Sequence, residues 1–339
     1  MSDSSKTFHL FACCIPVKGY TQSIIYDLQR QTYDFITNDL YEILSLSGST
    51  TIPKLKEEYG AENAEVLDEY FTFLEKNDYI FFSDLPSQMF PPIEEKFEIP
   101  STISNASVEL TRENKEAVLK TIAMLDECGC QSLSIILDKN EPSALKEALV
   151  YIDSTSIESV DLQLSYDSDL QNNLNTFFKD HTRVFNIYMF NAPESKKIES
   201  GYKYAELYLI KENRENAGCG KVHPLYFRVN LPFFMESKSC NSCLNKKLHV
   251  DCNGAIKSCP YSKQVHGNIS DSSLRDVLGS SSYTSFAGIR KDEIAVCKDC
   301  EYRYMCSDCR VYIEDTNNSY SKPSSCSYNP YTGEWSEEF

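Results

Sequence analysis

Hydrophobic and polar positions change period along the chain. From Thr7 to Ile36, short apolar runs predict strands at Phe8 to Val17, Ser23 to Leu28 and Gln31 to Ile36, the last two joined by a tight turn at Gln29-Arg30. The period then lengthens. Leu40, Ile43 and Leu44 predict a helix capped by Thr37 or Asn38. Pro53 in a first turn, with Leu55 inward, predicts a second, and Val66, Leu67, Tyr70, Phe71 and Leu74 recur at the spacing of a third. Asp78 to Phe82 predicts a closing strand, so strands, three helices and a wing make a small winged helix-turn-helix.

Residues 83–100 contain four prolines and read as a linker, which places a boundary near residue 95. Beyond it, strand-like segments begin near Ile103, Gln131, Ile157 and Arg183, with helical segments between them. Val118, Leu119, Ile122 and Leu125 line one helix face, and Gly129 follows as a stop. Repeated βα units predict a parallel sheet, and four or five of them make an open sheet or partial barrel, short of eight. The fold class expected is α/β in three parts: 1–95, 96–218 and a loop-rich 219–339.

Charge separates the parts. The net charge of −17 makes a general affinity for nucleic acid or an anionic membrane surface unfavourable. Residues 1–100 carry −10 and 101–218 carry −7, whereas 219–339 are neutral. No apolar run approaches the roughly 18 residues of a membrane span. The start, MSDSSKTFHLFACCIPV, has His9 inside its short apolar run and no basic flank, so it does not read as a secretory signal; the cytoplasm is the expected compartment.

Nine of the fourteen cysteines fall within residues 240–326, and in a reducing compartment that density points to metal rather than disulfides. Three CxxC pairs, Cys240/Cys243, Cys297/Cys300 and Cys306/Cys309, stand with Cys259 and Cys326. Two residues between cysteines let both thiolates turn toward one ion or cluster while backbone N–H groups bond to the sulfurs. Zinc and iron–sulfur clusters both suit such pairs. Cys13, Cys14, Cys128 and Cys130 read as buried free thiols. Eight thiolates fill two sites, leaving surface or core roles for His249 and His266; His9, His181 and His223 form no visible triad.

The order Cys243, ten residues, Gly254, four residues, Cys259-Pro260, then Cys297-x2-Cys300-x5-Cys306-x2-Cys309 and a distant Cys326, resembles the SPASM domain. This is a C-terminal extension of radical-SAM peptide-modifying enzymes that typically holds two auxiliary [4Fe–4S] clusters. Gly267-Asn268-Ile269 matches its usual hairpin. The resemblance implies Cys240, Cys243, Cys259 and Cys309 on one cluster, Cys297, Cys300, Cys306 and Cys326 on the other, and Cys252 left over. The family more often has three residues between the last CxxC pair. Lys246, Lys257, Lys298 and Arg303 near the cysteines suit an anionic cluster.

An active radical-SAM enzyme also carries CxxxCxxC after its first barrel strand. The equivalent STISNASVELT at Ser101 to Thr111 has no cysteine, so the middle part resembles a degenerate radical-SAM barrel, and no S-adenosylmethionine is expected. CIPVKG at Cys14 to Gly19, NDLYEIL at Asn38 to Leu44, CKDC and YRYMC at Cys297 to Cys306 and CSYNPYTGEW at Cys326 to Trp335 resemble the SPASM-domain peptide maturases of grasp-with-spasm systems. That resemblance implies two partners, a ribosomal precursor peptide and an ATP-grasp ligase.

The third helix region carries Glu62, Glu65, Asp68, Glu69, Glu75 and Asp78 against Lys76, which argues against a DNA reader. Residues 23–82 instead resemble a peptide-recognition element, in which a leader peptide adds as a strand to the sheet edge. The expected groove joins the Gln31 to Ile36 edge, with Tyr33 and Phe35, to the helix face at Asp68, Tyr70 and Phe73; a structural docking domain is the plainer alternative. Two classes of function follow: a non-catalytic scaffold presenting the peptide to its ligase, or a redox-active enzyme or electron carrier. A zinc-stabilised scaffold and a metal-sensing regulator are weaker alternatives. The missing CxxxCxxC favours the first class and assigns no catalytic residue.

Overall fold

The computed structural model describes residues 5–139, 141–202, 204–216 and 219–336. The chain divides into two compact units, the first drawn from the described residues of 1–97, 222–242 and 289–339, the second from 98–221 and 243–288.

In the first unit, β1 (Thr7–Leu10), β2 (Cys14–Val17), β3 (Ser23–Asp27) and β4 (Thr32–Ile36) precede α1 (Asn38–Leu44), α2 (Ile52–Tyr59), α3 (Ala64–Lys76) and β5 (Ile80–Ser83). The run from Phe8 to Val17 is two strands because the chain turns between them, Cys14 N bonding to Phe11 O at 2.8 Å. The turn after β3 takes residues 28–31. The Asp27 carboxylate accepts the N–H groups of Gln29 (3.0 Å) and Arg30 (2.8 Å), and Gln31 has φ 61°. Strands β2, β3 and β4 form an antiparallel sheet in that order, while β5 pairs with β1, Leu10 opposite Ile80.

Thr37 caps α1, its hydroxyl accepting from Leu40 N at 3.1 Å. On α3, Leu67, Phe71 and Leu74 are buried against Phe8, Ile25, Leu40, Leu44 and Leu55. Each such side chain contributes about 1.5–3 kcal/mol of apolar burial. Strand β3 is buried throughout, because Ile24 and Tyr26 face a second core built with Phe234, Met235, Tyr302, Tyr304, Met305 and Tyr328 of the same unit.

In the second unit, β6 (Asn105–Glu109), α4 (Lys115–Glu127), β7 (Ser132–Leu137), α5 (Pro142–Ile152), β8 (Ser159–Ser165), α6 (Ser168–Asn172), α7 (Leu174–Asp180) and β9 (Val184–Phe190) follow the expected repeats, each strand starting within two residues of its expected position. Next come β10 (Lys196–Glu199) and β11 (Glu206–Leu209). The chain returns to the first unit for α8 (Leu231–Ser239) and to the second for β12 (Lys247–Val250), β13 (Ala255–Lys257), β14 (Gly267–Asn268), α9 (Leu274–Gly279) and α10 (Ser281–Ala287). It ends in the first with β15 (Tyr328–Asn329) and β16 (Glu334–Trp335).

The nine-stranded sheet runs β10-β11-β9-β8-β7-β6-β12-β13-β14, with β6 to β9, β11 and β12 parallel. Residues 243–288 of the cysteine-rich stretch therefore extend the sheet, Leu248 and Val250 entering its core. Gly129 stops α4 with φ 73°, and a Cβ there would meet Ser101 Cα at 3.4 Å. A parallel sheet ordinarily buries apolar residues on both faces. Here one face is polar: Gln163 donates to Ser134 Oγ at 3.1 Å and Asn186 to Asp161 at 2.8 Å, while Val160, Leu162 and Leu164 are buried on the other.

Candidate functional site

In the first unit, Cys297, Cys300, Cys306 and Cys326 line a single pocket together with Lys291, Tyr302, Tyr328 and Trp335. Local turns present the sulfurs. Cys300 N bonds to Cys297 O (3.1 Å), Cys306 N to Tyr302 O (3.1 Å) and Cys326 N to Pro323 O (3.1 Å). Val296, just before Cys297, has φ 69°, a left-handed conformation that a β-branched residue adopts only where its surroundings enforce it.

Lys291 is 4% exposed, and its ammonium donates to Cys306 Sγ at 3.5 Å. Burial opposes that charge, but Cys306, Cys297 and Asp308 outweigh it and raise the lysine pKa. Burial pushes the Cys297 thiol up to about 11 and also raises Cys300 and Cys306. A buried ammonium set against buried thiols is satisfied once those thiols are anionic, as metal ligation makes them. The donor set fits a thiolate-ligated metal group.

Among the described residues, the set of three ligand atoms within 4.8 Å of one another is Cys13, Cys14 and Asp27. The four pocket thiols suit zinc and an iron–sulfur cluster alike.

The other four cysteines are divided, Cys240 and Cys309 in the first unit, Cys243 and Cys259 in the second. Cys240 ends α8, its thiol donating to Glu236 O at 3.3 Å. Cys309 Sγ accepts from Tyr312 N and Cys259 Sγ from Tyr261 N, both at 3.4 Å, the N–H to sulfur contact of metal-binding turns. Sequence reasoning missed Cys219. Its hydrogen bond to Cys259, ahead of the opposing effect of burial, lowers the Cys259 thiol to about 7. It stands outside any CxxC pair, so spacing gave no signal. Lys291 was missed as well. Lys246 instead donates to the carbonyls of Ile99 (3.0 Å) and Ser101 (2.7 Å), and Lys257 pairs with Asp251 at 2.8 Å.

The expected peptide-binding residues do not share one groove face: Tyr33 and Phe35 lie on the face of β4 away from α3, which carries Asp68, Tyr70 and Phe73. Asp34 is on the α3 side, where it accepts from Tyr79 OH, just past the helix, at 2.6 Å; the Phe73 ring lies tilted against Tyr79 with centroids 5.8 Å apart, and Tyr70 OH meets Thr37 Oγ1 at 2.8 Å. Tyr33 and Phe35 point the other way, toward Tyr302, with ring centroids 6.4 and 5.9 Å from it. Alternation along a strand requires this split. Asp68 is exposed and paired with Lys56. No strand pairs with the outer edge of β4 among the described residues.

The Cys13, Cys14 and Asp27 cluster reads as structural. Arg30 donates to the Asp27 carboxylate at 2.9 Å, its other oxygen is taken by the turn, and burial raises the Cys14 thiol. His249 is buried with Nδ1 2.9 Å from Ser107 Oγ, and His266 Nε2 lies 2.9 Å from Ser258 Oγ.

Residues 240–301 match the SPASM family, an iron–sulfur cluster-binding domain, a span that takes in Cys240, Cys243, Cys259, Cys297 and Cys300. Among solved structures, the chain is similar to Streptococcus suis SuiB bound to S-adenosylmethionine, at 11% identity over 94% of this chain and 99% of that one, with a TM-score of 0.44. It is also similar to Streptococcus suis SuiB bound to the precursor peptide SuiA, at 12% identity over 90% and 96% of the two chains, with a TM-score of 0.40. No curated protein matches the sequence. No helix among the described residues is long and apolar enough to cross a membrane.

Proposed function

We propose that the protein is an accessory factor in the maturation of a ribosomally made peptide. It binds the precursor's leader and presents it to a partner ATP-grasp ligase in the cytoplasm, without cleaving S-adenosylmethionine. Residues 1–95 act as a winged-helix recognition element, 96–218 as a degenerate radical-SAM-like barrel and 219–339 as the SPASM region. Two [4Fe–4S] clusters are held there, one by Cys240, Cys243, Cys259 and Cys309, the other by Cys297, Cys300, Cys306 and Cys326. The observation that carries this reading is the SPASM match at residues 240–301. The buried Lys291 among thiols and the open edge of β4 support it.

The test is calorimetric titration of the full chain with the leader of the precursor peptide encoded beside it. Augmenting peptides of this kind bind at micromolar strength, about −8 kcal/mol. Absence of binding to metal-loaded protein contradicts the proposal. The full chain is required because Ile24 and Tyr26 of β3 bury against Phe234, Tyr304 and Met305, a face that a fragment of residues 1–95 leaves bare.

A further inference from the structure

The open edge of β4 lies between two unlike surfaces. One is built by the segment Pro224 to Asn230, which lines the groove opposite Gln31, Thr32 and Tyr33. Arg228 N bonds to Met305 O at 2.9 Å and anchors this segment, and Phe227 packs on Tyr302 at 5.1 Å between ring centroids. The Arg228 guanidinium is exposed over the Phe233 ring at 5.7 Å, and no carboxylate pairs with it among the described residues. The other is α3, which packs on the Asp34 and Ile36 face of β4 outside the groove's own lining, with Tyr70 and Phe73 beside the exposed carboxylates of Glu65 and Glu69.

A strand added to the edge of β4 sends alternate side chains to opposite faces. Those on the Asp34 side meet α3, and those on the Tyr33 and Phe35 side meet Phe227 and Arg228. Resting on the peptide-recognition reading above, we infer that the groove takes an extended peptide strand of alternating charge. Its side chains toward α3 are basic, and those toward Arg228 are acidic, with an aromatic neighbour seated against Phe227. Arg228 thus sets specificity on the face away from α3.

The test is selection of binders from a displayed library of random ten-residue peptides on the full chain, with selected peptides then measured by fluorescence anisotropy. The expected binders carry basic residues at one parity and acidic residues at the other. Arg228→Glu inverts the preference at the second parity only and weakens an acidic binder roughly fivefold, the upper range for an exposed ion pair, whereas Arg228→Lys preserves it. Binders without alternation, or a preference unmoved by Arg228→Glu, overturn this inference while leaving peptide recognition standing. Failure to select any peptide overturns both.

Discussion

Phe35 of strand β4 stands edge to face on Tyr302, ring centroids 5.9 Å apart, and Tyr302 lines the pocket of Cys297, Cys300, Cys306 and Cys326. The contact does not stand alone. Tyr302 also meets Tyr328 at 5.0 Å and Trp335 at 6.0 Å, while Tyr26 of β3 donates to Glu301 O at 3.1 Å and Gln22 to Glu301 Oε1 at 2.9 Å. The edge proposed to receive a peptide and the pocket proposed to hold a cluster thus share side chains.

Coupling between those two events follows, and it is reciprocal. Leader affinity is expected to fall about fivefold, roughly 1 kcal/mol, when the metal is stripped by a chelator, and Tyr302→Ala is expected to shrink that difference. Parallel titrations of loaded and stripped protein measure it. Equal affinities in the two states remove the link.

His249 predicts a pH effect in the second unit. Burial first, then the charges of Lys257 and Arg214, against the pull of Asp251, lower its pKa to about 4; Glu109 stands 3.7 Å from Nε2. In the unfolded chain the ring titrates near its ordinary value of about 6.5. As pH falls below that value, the unfolded state takes up a proton that the folded state refuses until about 4, so stability is lost across this window. The loss between pH 7 and pH 5 is roughly 2 kcal/mol. Urea unfolding at the two pH values should show it, with His249→Gln losing correspondingly less than the natural chain. An identical loss in the variant assigns the effect to other groups.

Residues 101–111, which contain β6, carry no cysteine, and on the proposed reading as a degenerate barrel no iron site for S-adenosylmethionine is expected there. Dithionite-reduced protein is expected to release no 5′-deoxyadenosine above a blank. Release above the blank moves the function into redox catalysis.

Much of the fold was legible because local signals and burial agree. The helix at Leu67, Phe71 and Leu74, the Thr37 cap and the four βα starts all follow from period and turn chemistry. The pairing of β5 with β1 was not legible, since strand partners are set by tertiary packing rather than by either strand's own sequence. The site divides in the same way. The CxxC spacing pointed to Cys297, Cys300 and Cys306, and the family resemblance added Cys326, but nothing local marks Lys291 or Cys219, whose roles come from neighbours brought close by folding. Tyr33 and Phe35 were visible as aromatics on a strand. That they face Tyr302 rather than α3 depends on the strand's orientation, which a one-residue shift would reverse.

The most direct measurement is the iron and acid-labile sulfide content of anaerobically purified protein beside its Cys300→Ser variant. Two four-iron clusters give about eight iron and eight sulfide per chain, falling to about four of each in the variant, while Cys252→Ser leaves both counts unchanged. Stoichiometric zinc without sulfide after anaerobic reconstitution would contradict the account and leave a zinc-stabilised scaffold in its place.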